Sequence, residues 1–163
     1  MQPVVARKIR SIVPDRIERE ILIDAPLEVV WAVITQPDHV SGWFSDVAEI
    51  DLRAGGKLTL TWEGDDTEHG RVVKVDPPHY FSFRWIRGSA TEVRGGNSTL
   101  VEFSLSAEGE GTRLRVVETG FSNLDLREDD QAKDAEEHRE GWERELDELR
   151  EYIRRLEAAP DRP

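Results

Sequence analysis

From about Asp130 onward, Trp142, Leu146, Leu149, Ile153 and Leu156 recur at helical spacing, and the positions between them are almost all charged. A helix of this kind gains little stability alone in water and must lay its apolar edge on another surface. The same spacing serves a coiled coil, but it lasts only about two or three heptads, so a sheet built by the same chain is the expected partner. The preceding sequence supplies that sheet. Ile17, Arg19, Ile21 and Ile23 alternate with Glu18, Glu20, Leu22 and Asp24 at period two, which reads as a strand with one covered face. Five turn-bounded segments follow it at 47–52, 57–62, 70–75, 79–86 and 99–106, and a last at 112–119 closes across Glu108-Gly109-Glu110-Gly111. After the first strand, Asp24-Ala25-Pro26 stops the ladder and Leu27, Val30, Trp31 and Ile34 mark a short helix. Gln36-Pro37-Asp38 then opens a second helical turn that runs into Trp43-Phe44. The predicted class is α+β: a curved antiparallel sheet of about seven strands wrapped around a long C-terminal helix, with two short helices after the first strand.

A chain of 163 residues fits one such domain, expected over residues 16–158, with a disordered or extended N-terminal tail at 1–15 and a C-terminal tail at 159–163. The formal net charge of -12 repels phosphate backbones, so a nucleic-acid partner is not expected. No apolar run approaches the roughly 18 residues that span a bilayer, and there is no signal-peptide pattern, which predicts a soluble cytoplasmic protein without a membrane span. With no cysteine, thiol chemistry, disulfides and thiolate zinc sites are excluded.

The ordered set Ala25-Pro26-x-Glu28-x-Val30-Trp31, Thr35-x-Pro37-Asp38-His39, Trp43-Phe44, Gly55-Gly56, Gly70-x-Val72-x-x-Val75-x-Pro77-Pro78, Phe81-x-Phe83-x-Trp85 and Gly141-Trp142-x-x-x-Leu146-x-x-Leu149 resembles the activator of heat-shock protein 90 ATPase-like branch of the SRPBCC (START-like) superfamily. The resemblance covers residues 16 to 157. It implies a helix-grip fold whose sheet and C-terminal helix enclose a cavity, often apolar. Function is left open by the fold, since lipid carriers, polyketide cyclases, hormone receptors and co-chaperones share it. The family's eukaryotic co-chaperone carries a further chaperone-binding domain that residues 1 to 15 do not resemble, so stimulation of the chaperone ATPase is not expected of this chain alone.

Candidate site residues fall into two groups. Trp43, Trp62, Phe83, Trp85, Phe103, Trp142 and Leu146 are expected on the face between sheet and helix, as core or as the wall of a ligand cavity. Glu118 shares strand parity with Leu114 and Val116, which puts a carboxylate on the apolar side of the sheet, where it needs a partner. Arg71, Arg84 and His69 are the candidates, the last by parity with Arg71, Val73 and Val75. Such a pair serves structure or general-base chemistry, and a Glu118 that faces the cavity is also expected to contact the ligand and to favour one bearing a hydroxyl or amine. His39 is expected to pack or cap, and His79 to be exposed. None of the four histidines forms an HExxH pair, and no phosphate loop or nucleophile elbow occurs, so neither metal nor cofactor is expected. The leading expectation is a non-enzymatic binder of a small hydrophobic or amphipathic molecule, monomeric or weakly dimeric. A cyclase- or hydrolase-like enzyme using Glu118 with His69 or Arg71 is the first alternative, and a co-chaperone or protein-interaction module the second.

Overall fold

A computed structural model describes residues 13–65 and 67–158. Its strands are β1 (Arg16–Ile23), β2 (Val47–Ile50), β3 (Lys57–Thr61), β4 (Thr67–Asp76), β5 (Tyr80–Ile86), β6 (Ser98–Glu108) and β7 (Gly111–Thr119). They form one antiparallel sheet in the order β1-β7-β6-β5-β4-β3-β2. Every neighbour from β2 to β7 is joined by a hairpin, whereas β1 lies at the far edge beside β7, with Ile17 opposite Glu118. The chain therefore has to travel from one edge of the sheet to the other after β1, and the helices α1 (Leu27–Thr35) and α2 (Pro37–Trp43) carry it. Pro26 stands at the N-cap of α1, where its missing N–H costs nothing.

The C-terminal helix α3 (Glu128–Ala158) lies across the concave face of the sheet. Trp142, Leu146, Leu149 and Ile153 are buried as the spacing predicts, but Leu156 is exposed, so the apolar stripe ends one turn earlier than the sequence reading has it. Toward its N-terminus the same face continues through Ala135 and the polar residues Gln131 and Asp134, all buried. The inward rows of the sheet are filled by branched and aromatic side chains, and Phe81 stacks on Phe103 with the rings 4° apart.

Two expectations change. The predicted tails lie mostly outside the described residues, in 1–12 and 159–163, yet residues 13–15 are already part of the domain. Val13 packs against the core. The Asp15 carboxylate accepts from the Ser122 backbone N–H at 3.0 Å and from the Ser122 hydroxyl at 2.6 Å, holding the 3-10 turn Phe121–Asn123. The second change is in β4, where the register shifts between Val72 and Lys74. Val73 is the extra residue of a bulge and is 45% exposed, while Val72 is 2% exposed. A one-residue insertion inverts the face of everything on one side of it. Counting parity back from Val73 and Val75 therefore assigns His69 and Arg71 to the wrong face.

Candidate functional site

Trp142, Leu146, Leu149 and Ile153 of α3 are buried against the sheet, and the space between the sheet and the α1–α2 pair is nearly filled. Trp43, Phe44, Phe81, Phe83 and Phe103, with neighbouring aliphatics, surround a residual void of only about 20 Å³, no more than a single water's worth. Trp43 is held there by its indole N–H, which donates to the Val33 carbonyl at 3.0 Å. Trp43, Phe83, Phe103 and the buried Leu146 are thus core side chains in this structure.

The open space lies beside that core, between β4, β5 and the N-terminal half of α3. Two adjoining depressions of about 570 and 310 Å³ share Asp65, Glu68, Trp85, Glu137 and His138. The smaller one is walled by Phe44, Trp62, Trp85 and Trp142. These rings form one contact network: Phe44 stacks on Trp142 with planes 9° apart, and Trp62 and Trp85 are 11° apart at 6.4 Å between centroids. Each indole is also tethered. Trp62 donates to the Phe44 carbonyl at 2.8 Å, Trp85 to Glu68 Oε1 at 2.7 Å and Trp142 to Glu118 Oε1 at 2.8 Å. A ring fixed by packing and by its polar end loses little freedom when a ligand covers it.

Glu118 lies beneath the groove and is fully buried. The strand alternation that placed it inward holds, but its partners are others than Arg71, Arg84 or His69. Thr99 Oγ1 donates to it at 2.6 Å, Trp142 Nε1 at 2.8 Å and His138 Nδ1 at 2.9 Å. His138 and Trp142 are four apart on α3, so one helical face clasps the carboxylate and latches the helix to β7. Since the carboxylate accepts at Nδ1, His138 turns its Nε2 away, and that nitrogen has no hydrogen-bond partner among the described residues. The ring borders both depressions. Burial works to lower the His138 pKa, but the Glu118 hydrogen bond, with the charges of Glu118, Asp134 and Glu68, outweighs it and holds the imidazole above its ordinary value. Burial pushes the Glu68 carboxyl up, against the Trp85 hydrogen bond.

His69 and Arg71 sit on the opposite, convex face. Arg71 pairs with Glu92 at 2.7 Å and donates to the Gly55 carbonyl, and His69 stands across from Thr59. Arg84, also facing out, donates to the Ser98 hydroxyl. His39 joins Tyr152 at 2.7 Å, tying α2 to α3, and His79 is exposed. His138 and Glu68 are the site residues that sequence reasoning missed. Extending the α3 stripe backward by alternating threes and fours from Trp142 reaches His138, Ala135 and Gln131, a signal present in the sequence. Glu68 required the bulge in β4 to be known. Among the described residues no three His, Asp or Glu side chains are arranged to hold a metal ion.

A seven-stranded antiparallel sheet curved over one long C-terminal helix, with a helix pair inserted after the first strand, defines a helix-grip, START-like domain. Within that class, the family model for activator of Hsp90 ATPase homolog 1-like protein matches residues 24–154, and the chain belongs to that family. Solved structures agree on the fold. Protein MLL2253 from Mesorhizobium loti is 21% identical with a TM-score of 0.72, over 86% of this chain and 97% of that one. CalU16 from Micromonospora echinospora is 28% identical with a TM-score of 0.65, over 85% and 75%. The Aha1 dimer from Colwellia psychrerythraea is 18% identical with a TM-score of 0.66, over 83% and 91%. No curated protein is significantly similar to the chain. No helix among the described residues is long and apolar enough to cross a membrane.

Proposed function

We propose that the protein binds a small amphipathic molecule in the groove beside α3, not in a closed cavity beneath it. The observation that carries this reading is the wall of three tethered indoles, Trp62, Trp85 and Trp142, around an open depression of about 310 Å³ while the interior is packed. A ligand covering those rings gains about 25 cal/mol for each Å² removed from water, and the costs of association and ordering leave micromolar affinity as the expected outcome. Glu118 acts from below, by orienting Trp142 and His138, and does not touch the ligand.

Tryptophan emission reports on the groove directly. Titration with flavonoids, fatty acids and sterols should quench or shift it saturably for at least one class, and Trp62→Ala should weaken that binding about tenfold, in line with loss of a buried ring. Failure of every class to give a saturable change would overturn the reading.

A second reading is supported by one specific feature, a His138 ring that borders the groove with its Nδ1 held by Glu118 at 2.9 Å and its Nε2 without a hydrogen-bond partner among the described residues. A carboxylate that orients an imidazole in this way is the arrangement of a general base. It would show itself as turnover of an activated ester that His138→Ala abolishes and that Trp62→Ala affects through KM alone.

A further inference from the structure

The indole wall of the groove offers a ligand no free donor. All three of its indole N–H groups are already donated, so what Trp62 and Trp85 present is ring surface, whose faces carry the negative end of the quadrupole, while Trp142 is buried behind them. The carboxylates of Asp65, Glu68, Glu137 and Glu145 border the same space. Two guanidinium groups and one imidazole stand near them, and each faces an acid of its own. Arg87 is 3.3 Å from Asp134, Arg144 is 3.7 Å from Glu145, and His138 is 2.9 Å from Glu118. Asp65, Glu68 and Glu137 have no cationic partner within 4 Å among the described residues, and Glu68, half-buried, receives only the Trp85 N–H. At Glu68 burial outweighs the Trp85 hydrogen bond and the nearby His138 and holds the carboxyl above its ordinary value, so its compensation is incomplete.

Ring faces and unpaired carboxylates around one cavity favour the same guest. We infer that the groove takes a small organic cation, an ammonium or substituted ammonium carried on an aromatic or short alkyl body. The body would lie against Trp62 and Trp85, and the charge would sit over a ring face within reach of Glu68 and Glu137. An anion would meet three unpaired carboxylates, and a neutral analogue would leave Glu68 as poorly compensated as before. This inference rests on the groove being the binding site and adds the charge of what it binds.

The test is isothermal titration with three probes of one shape: phenylpropylamine, phenylpropanol and phenylpropanoate, at neutral pH and moderate salt. The amine should bind about tenfold tighter than the alcohol, the scale of one cation–π contact with a carboxylate nearby, and the carboxylate probe weakest. Glu68→Gln and the exposed Glu137→Gln should each reduce that preference, with thermal melting confirming that both fold. Glu49→Gln, on β2 outside the groove, should leave it unchanged. Equal reduction in the Glu49 variant would trace the effect to the overall negative charge and overturn the inference, as would alcohol or carboxylate binding as tightly as the amine. If none of the three binds while a flavonoid, fatty acid or sterol does, the cation inference falls and the groove reading stands; if nothing binds, both fall.

Discussion

Glu118 and His138 are the residues on which the N-terminal half of α3 depends. The carboxylate has no exposure and accepts from three donors, so replacing it with glutamine turns part of the acceptor into a donor that must face one of them. Glu118→Gln is expected to cost about 1 to 3 kcal/mol, the penalty for an unsatisfied buried polar group, measured as a shift in the urea midpoint. Trp142→Ala removes both a donor to Glu118 and a buried ring, and about 3 to 5 kcal/mol is expected from the same measurement. The pair also has a pH signature. An imidazole whose pKa is raised in the folded state binds its proton more tightly there, so its stabilisation is complete below its ordinary value near 6.5 and is lost as pH climbs through the raised value. Glu68, also raised, acts with the same sign above 4.5. Stability of the native protein should therefore decline from pH 6 to 8 by thermal melting, and His138→Gln should flatten that decline.

At the scale of elements, β4 decides the shape of the groove. Its bulge at Val73 turns Glu68, Gly70 and Val72 inward and His69 and Arg71 outward. Gly70 stands opposite Trp85, and a Cβ there would come within 2.7 Å of the Arg84 carbonyl oxygen and 3.2 Å of Leu58. Backbone cannot yield as a flexible side chain does, so Gly70→Ala should open the β4–β5 ladder. About 1 to 3 kcal/mol of lost stability is expected, together with a shift of tryptophan emission as Trp85 moves. An unchanged midpoint and spectrum would mean that the strands separate more readily than this packing implies. α3 divides its length between two tasks: its C-terminal half is an apolar stripe on the sheet, and its N-terminal half presents Gln131, Asp134 and His138 to polar partners. Gln131 donates to the Leu124 carbonyl at 2.8 Å and so ties the helix start to the turn that follows β7.

For the whole molecule, the first strand must pair with the last, and the residues just before it take part. Deletion of residues 1–12 should leave the melting temperature unchanged, whereas deletion through Asp15 removes the Val13 contact and both Ser122 hydrogen bonds. At about 1 kcal/mol for each of the two hydrogen bonds, the longer deletion should lower Tm by about 4 to 8 °C in a chain of this size. Equal melting of the two truncations would show that the domain begins at Arg16 after all. The strand order along the chain, the helix pair, the long terminal helix and the inward carboxylate on β7 were all legible in the sequence, because period two, period 3.6 and proline or glycine turns are local consequences of backbone geometry. The tertiary structure alone decided which carboxylate meets which partner and where the empty space lies. Glu118 finds His138 across 20 residues, an inserted residue in β4 reverses the faces of His69 and Arg71, and aromatic rings that the sequence placed on one wall divide into a packed core and an open groove. Those outcomes depend on register and on how side-chain volumes fill a curved sheet, and neither is encoded in the spacing of residues along a single element.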